Sequence, residues 1–363
     1  AVIPEKITYE GKDYAVTTIG LYAFENCRSL YSVVIPNSVK SIKDYAFYGC
    51  FWLHFETIGS GVQSIARTVF AGQSMFGKDS YFEPDIVVWL GNTPPEGYKD
   101  AKGRNNYVSN NSFTGLSNTK IYPSMSSVFE KDGIKYVLVD SLKRTCAAID
   151  CAYDSTVANV NIGNTVNYKG VELTVKDINP YTCYGNKYVK SVKIDYNGKI
   201  PKDAFGECDS MMVAVIAATQ IGYSAFKGCG KLEDVMLDAS LKSINSYAFE
   251  DCASLKGITI PDSVTGIGDR CFSGCKSLAY AKIGAGVSVI PDKTFYKCMS
   301  LPEITIPKTV DSIGNYVFYG CTSLTDVTIA DRETELKLGS NGSSPMFSSC
   351  PLKSVYIGGN ITY

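Results

Sequence analysis

Residues 244–329 read INSYAFEDCASLKGITIPDSVTGIGDRCFSGCKSLAYAKIGAGVSVIPDKTFYKCMSLPEITIPKTVDSIGNYVFYGCTSLTDVTI. Ile244, Ile267, Ile290 and Ile313 recur every 23 residues. From each, phenylalanine follows at +5 (Phe249, Phe272, Phe295, Phe318) and cysteine at +8 (Cys252, Cys275, Cys298, Cys321). Leucine stands at +11 and isoleucine at +16. A fixed period of this size is the signature of a solenoid, in which each repeat forms one rung and buries its apolar face only against its neighbours.

The frame extends outward from this stretch. Upstream it runs back through Ile221 and Ile200 to Ile178, and downstream it ends on Phe347, Cys350, Leu352, Val355 and Ile357. A second set starts at Ile19, Ile42 and Ile65. At Glu56 a charged residue stands where the frame expects an apolar one, which predicts a bulge or register shift. Two insertions interrupt the frame between residues 71 and 125, where strand-like pieces survive at Ile86–Leu90 and Thr119–Tyr122. The chain's opening also recurs. Ile3, Ile7, Tyr9-x-Gly11, Val16 and Ile19 match Ile162, Val166, Tyr168-x-Gly170, Val175 and Ile178 at a constant offset of 159. Each array is therefore expected to be led by the same β-hairpin. Three segments follow: a first array at 1–125 with a shortened leading hairpin, a β-hairpin linker at 126–177, and a second array at 178–363. Ala1 reads as a truncation or processing point.

Within a rung, the last segment alternates apolar and variable residues, as a short strand does. Asp44, Ser246, Asp269, Asp292 and Asn315 are good helix N-cap residues, and Gly49, Gly228, Gly274 and Gly320 suit a left-handed stop. Only about one turn fits between them, which predicts a short 3-10 or α turn opposite the sheet. The expected fold is α/β, with a parallel sheet on one face of the solenoid and helical turns on the other.

Composition narrows the function. Net charge is −1 and the pI is near 6.0, so no basic field attracts nucleic acid. The longest wholly apolar run, Met211–Ala218, is far too short to span a bilayer. Nine of the thirteen cysteines hold the +8 position, which makes them a ladder of small buried thiols rather than a disulfide or metal framework. Cys271, at a position usually held by alanine, reads as core filling, and Cys146 and Cys151 are left to pair with each other or with neither. The single histidine, His54, lies inside a rung without a partner motif, so no nucleophile–base pair is suggested. No catalytic, cofactor or metal residues are assigned. Tyrosines at repeated positions (Tyr22, Tyr45, Tyr247, Tyr316; and Tyr48, Tyr296, Tyr319) read as amphipathic cover on the turn side.

The frame resembles the BspA-like leucine-rich repeat proteins, also described as the Treponema-type leucine-rich repeat class. The residues that carry the resemblance are INSYAFEDCASLKGITIPDSV, IGDRCFSGCKSL and IGNYVFYGCTSLTDVTI, together with the two hairpins and Thr93–Pro95. The resemblance implies a secreted or cell-surface protein of host-associated bacteria or protists, non-enzymatic and engaged in protein binding or adhesion, with a host extracellular protein or glycoprotein as partner. A carbohydrate-binding surface module and a structural spacer presenting another domain remain the alternatives. In the rungs the outward strand positions, +13 and +15, vary most. Val213, Val215, Met236, Tyr280 and Lys282 among them form the candidate partner-binding face.

Overall fold

A computed structural model gives the fold. It describes residues 2–69 with gaps at 28–29, 31, 51–52, 54, 60 and 67–68, strands at 86–89 and 120–123, and residues 128–362 with gaps at 141–142, 153–154, 156, 340–345 and 360. The chain divides into two compact units, Ala1–Val128 and Phe129–Tyr363.

In the first unit, Lys6–Tyr9 and Lys12–Ala15 form an antiparallel hairpin. The strands Ser32–Ile35, Phe55–Ile58, Ile86–Trp89 and Lys120–Pro123 then stack in parallel, in chain order. The expected irregularity at Glu56 is absent, because Val33 pairs Glu56 and Ile35 pairs Ile58 without a shift. Backbone pairing of the rungs holds the register there. Val33, Ile35, Ile42, Phe47, Leu53 and Ile58 are buried together in this unit.

Strands at Val128–Lys131, whose first residue closes the first unit, and at Ile134–Asp140, Thr145–Cys151, Thr165–Tyr168 and Val171–Ile178 join in one five-stranded sheet at the start of the second unit. Their buried residues share a single core with the rungs that follow. The wide sheet runs through Asn159–Gly163, Ser191–Asp195, Val213–Ala217, Asp234–Leu237, Gly257–Thr259 and Tyr280–Lys282, all parallel. A second, narrow ladder of two-residue strands includes Gln220–Ile221, Ser243–Ile244 and Gly266–Ile267.

The two repeated hairpins adopt the same turn. Glu10 and Gly11 have φ of 49° and 74°, and Lys169 and Gly170 have 50° and 81°. Two left-handed central residues are what a two-residue type I′ turn requires. The bond from the Val16 amide to the Glu5 carbonyl (2.9 Å) recurs as Val175 to Asn164 (2.8 Å) at the same offset. Their surroundings differ. Ile7 and Tyr9 are exposed, whereas Val166 is buried and the Tyr168 ring stacks on Phe129 at 4.2 Å.

The turn side corrects the α/β expectation: the described residues contain no helix. In the Ile244 rung the amides of Tyr247, Phe249 and Asp251 donate to Asp269, Cys271 and Ser273 of the next rung, at 2.8–2.9 Å. The intervening amides of Ala248, Glu250 and Cys252 return to carbonyls three residues back, at 3.0–3.3 Å. A 3-10 helix needs every amide for the second kind of bond. Here alternate peptide planes are turned toward the neighbouring rung by left-handed residues, Tyr247 (φ 62°) and Asp251 (φ 59°). Tyr22, Tyr45, Arg270, Lys293 and Tyr316 repeat the first left-handed position, and Asn26, Gly49, Gly228, Gly274 and Gly320 the second. One of the expected N-cap residues acts across rungs instead. Asp292 Oδ1 accepts the Asn315 amide, one rung on, at 2.7 Å.

Two side-chain columns fill the core. Phe205, Phe226, Phe249, Phe272, Phe295, Phe318 and Phe347 stack with centroids 5.3–5.8 Å apart and planes within 12° of parallel. Beside them the cysteine thiols each donate to the carbonyl of the aromatic-position residue one rung back. Cys252 reaches Phe226 O, Cys275 reaches Phe249 O and Cys298 reaches Phe272 O, each at 3.2 Å. Asn186, at the cysteine position of the first rung, makes the same kind of bond, from Nδ2 to Ala152 O at 3.0 Å. Every described cysteine is a free thiol, and the ladder is buried except at Cys27, which is exposed, and Cys350, which is half-buried. Cys271 is fully buried, as core filling requires, and Cys146 and Cys151 are likewise buried and unbridged.

Truncating the aromatic column in mid-array is expected to be costly. Phe249→Ala should lower stability by about 3–5 kcal/mol, read from the midpoint of urea unfolding. A second outcome follows from the thiols. Burial holds Cys208, Cys252 and Cys275 well above the usual thiol range and pushes Cys146 up to about 12. Unfolded thiols ionise near about pH 8.5, so above that pH the unfolded chain loses protons that the folded chain keeps. In reductant, the urea midpoint should be insensitive to these thiols below about pH 8 and fall steeply above about pH 8.5, with several protons coupled to unfolding.

Candidate functional site

The wide sheet of the second unit has one face turned to the core and one to solvent, because residues alternate across a strand. Inward residues Val192, Ile194, Ala214, Ile216 and Ile258 are buried. The outward positions are half-buried or exposed, as the repeat frame predicts. Register aligns them in rows: Ser191, Val213, Asp234, Gly257 and Tyr280 in one, and Lys193, Val215 and Met236 in the other.

Val213 and Val215 lie on one strand and Met236 on the next, so three of the five candidate residues adjoin. Met236 is 55% exposed, while the two valines are half-buried. Tyr280 and Lys282, both exposed, stand on the strand two further along, a distance of about 10 Å at ordinary strand spacing. Between them lies Gly257, which has no side chain to fill the row. A Cβ built there would meet Tyr280 Cδ1 at 3.7 Å, so the tyrosine ring leans over the glycine. An ion pair between Lys256 and Glu233 borders the face.

Two features were not anticipated. Met212, immediately before Val213, is 41% exposed and extends the apolar group. A groove of about 320 Å³ adjoins Tyr280 and Lys282, walled on its far side by Glu303, Ile304 and Thr305. Its signal in the sequence is Pro302, which has no N–H to offer the preceding rung. On the turn side, Tyr22 stacks on Tyr45 and Tyr296 on Tyr319, both with centroids 5.2 Å apart. Lys227 and Lys293 lie over the rings of Tyr247 and Tyr316 at 5.5 and 5.4 Å. These tyrosines therefore cover the turns and carry cations of their own chain.

Among the described residues no group of three or more His, Cys, Asp or Glu side chains is placed to hold a metal ion. No helix among them is long and apolar enough to cross a membrane. His54 and the 71–125 insertions lie outside the described residues, apart from the two strands they contain.

A family model described as the BspA type leucine-rich repeat region matches in six copies, over residues 5–78, 176–298 and 219–344. No curated protein matches the sequence. Among solved structures, a leucine-rich repeat protein from Eubacterium ventriosum is 19% identical over 85% of this chain and 81% of its own, with a TM-score of 0.50. The Treponema pallidum leucine-rich repeat protein is 22% identical over 62% of this chain and 90% of its own, with a TM-score of 0.43. A leucine-rich cell surface protein from Faecalibacterium prausnitzii is 16% identical over 65% and 96%, with a TM-score of 0.27.

The division between the two faces has a direct consequence for stability. Met236→Ser on the outward face should change unfolding free energy by no more than about 0.5 kcal/mol. Ile258→Ser on the inward face, one strand away, should cost about 3 kcal/mol or more, since it opens a cavity and buries a hydroxyl. Parallel denaturant titrations check both.

Proposed function

Because the chain belongs to the BspA-type leucine-rich repeat family, whose model matches well over half of it, we propose that it is a non-enzymatic binding module, secreted or held at a cell surface, that recognises a protein through the outward face of its wide sheet. The observation that carries this reading is the apolar group of Val213, Val215 and Met236, turned to solvent on adjoining strands. A soluble fold gains nothing from an exposed methionine beside two part-exposed valines, whereas a protein interface uses such groups as its water-excluding centre. Tyr280 and Lys282 add an aromatic ring and a cation at one border, Lys193 and Asp195 add charge at the other, and Asp234 stands beside Val213 on the strand of Met236. This is the arrangement of an apolar centre with a polar rim. The partner is an extracellular protein or glycoprotein of a host.

A carbohydrate site would be built on adjoining aromatic rings. Tyr280 is flanked by Gly257–Thr259 and Glu303–Ile306, neither of which carries one. The face therefore favours a protein.

The test is a triple variant, Val213→Ser with Met236→Ser and Tyr280→Ser, compared with the native chain for binding to epithelial cells by flow cytometry. Binding of the native chain should be abolished by protease treatment of the cells and should survive glycosidase treatment. The variant, folded by circular dichroism, should bind at least about tenfold more weakly, the loss of one or two anchor residues. Undiminished binding by the folded variant would move the site off this face.

A further inference from the structure

We infer that the boundary between the Ile267 and Ile290 rungs is a seam, across which the second unit separates into two blocks that open independently. In the wide ladder, the amide at +12 donates to the same position of the preceding rung. Met212 reaches Lys190, Glu233 reaches Met212, Lys256 reaches Glu233 and Ala279 reaches Lys256, at 2.7–3.1 Å; Thr325 to Pro302 (2.8 Å) continues the series further along. The missing member is Pro302 to Ala279, because proline has no N–H. In the narrow ladder the amide at +1 plays this part. Asn245 reaches Ile221, Gly268 reaches Ile244, and Gly314 reaches Ile290, at 2.7–2.9 Å. Two members are missing: Gly222 to Ile200, where the strands nevertheless pair, and Pro291 to Ile267, where proline has no N–H and the strands do not pair. Both prolines belong to the Ile290 rung.

Both sheets divide at that place. The wide sheet ends at Tyr280–Lys282, and a separate three-stranded sheet begins at Glu303–Ile306. The narrow sheet ends at Gly266–Ile267 and resumes at Val289–Ile290. The chain also contains its own control. Pro201 occupies +1 in the Ile200 rung, and there the narrow ladder does not join Val171–Ile178 to Lys199–Ile200. Position +12 of that rung is Met212, and the wide sheet continues unbroken from Ser191–Asp195 to Val213–Ala217. One proline interrupts one ladder; two in one rung interrupt both.

Side chains widen the seam. Ala281 takes the inward strand position held by Ile258, Ile304 and Val327 in other rungs, and it is half-buried rather than buried. The groove of about 320 Å³ lies here, between residues 279–283 and 303–305. What still joins the blocks is the turn side and one corner. Arg270, Phe272 and Gly274 donate to Asp292, Thr294 and Tyr296 at 2.8–3.0 Å, Ser300 to Lys276 at 3.1 Å, and Asp311 to Ser288 at 2.7 Å. The Phe272 and Phe295 rings remain stacked at 5.7 Å.

In a stacked array, cooperativity depends on nearest-neighbour coupling, so a boundary stripped of both ladders is where the array divides into separately opening units. The shorter block, from Ile290 onward, opens first. Its release bares the edge of Tyr280–Lys282, the last strand of the wide sheet. The inference does not depend on what the outward face binds.

Native-state hydrogen exchange by mass spectrometry on the whole chain tests it. At low denaturant, amides of 290–339 and 346–357 should exchange as one group, at least about tenfold faster than those of 213–283. Replacing Pro291 by Gly and Pro302 by Thr, the residues found at these positions in the Ile313 rung, should merge the two groups. Met212→Pro should create a new seam at the Ile200 rung, which already carries Pro201, and this variant serves equally should the double replacement fail to fold. One exchange group in the native chain, two groups unaffected by restoring the donors, or no new division in Met212→Pro would each overturn the inference.

Discussion

The interaction on which this fold depends is the backbone hydrogen bond from one rung to the next. On the turn side only every second amide is satisfied within its own rung; the others have no acceptor until a neighbour is present. A buried amide without a partner is destabilising by more than a made bond is stabilising. The rung is therefore not a small folded unit that happens to stack. Its backbone conformation, with left-handed residues such as Tyr247 and Asp251 at two places, makes sense only in the array. Left-handed geometry costs a non-glycine residue about 1–2 kcal/mol. That strain is borne because it aims the intervening amides outward along the stack.

The cysteine column belongs to the same logic. A thiol is nearly as apolar as a methyl group, yet it can donate a weak hydrogen bond. At +8 it fills core volume and reaches back to the carbonyl of the preceding rung, as Cys275 does to Phe249. Alanine would fill less space and donate nothing. Asn186 makes the comparison within this chain: where the array begins, a buried amide group takes over, bonding to Ala152 O and also accepting the Tyr188 and Val189 amides. Burial raises the pKa of Cys252 and Cys275 and keeps them protonated, which is the form that donates.

The repeat itself was legible in the sequence because burial selects side-chain type. Ile, Phe, Cys and Leu recur where each rung touches two neighbours, and the inward and outward strand positions separate cleanly by period. The doubled hairpin was legible for a similar reason, since Tyr-x-Gly marks a turn whose φ values few residues tolerate. The turn side was not. Asp, Asn and Gly favour helix caps and left-handed backbone alike, so Asp251, Asp292 and Gly274 cannot by residue type distinguish a helix end from a cross-rung bond. Glu56 misled in the opposite sense, because ladder pairing does not consult the side chain. Pro302 went unread because it lies outside the apolar frame, and only the donor series on either side gives its missing N–H a meaning.

These constraints also explain why recognition belongs on the outward strand positions. An inward residue such as Ile258 is enclosed by its own rung and by both neighbours, so any change there is felt in three places. A left-handed turn residue is limited by backbone geometry, and a +8 residue by its carbonyl. Position +13 or +15 has none of these duties: its backbone is held by the ladder and its side chain projects into water. Ser191, Val213, Asp234, Gly257 and Tyr280 succeed one another in one row without disturbing the sheet beneath. The array thus separates what makes it fold from what it can present. The row ends at Tyr280, where the ladder loses its next partner at Pro302, so the most prominent ring of the face also stands at the margin of its most weakly joined boundary.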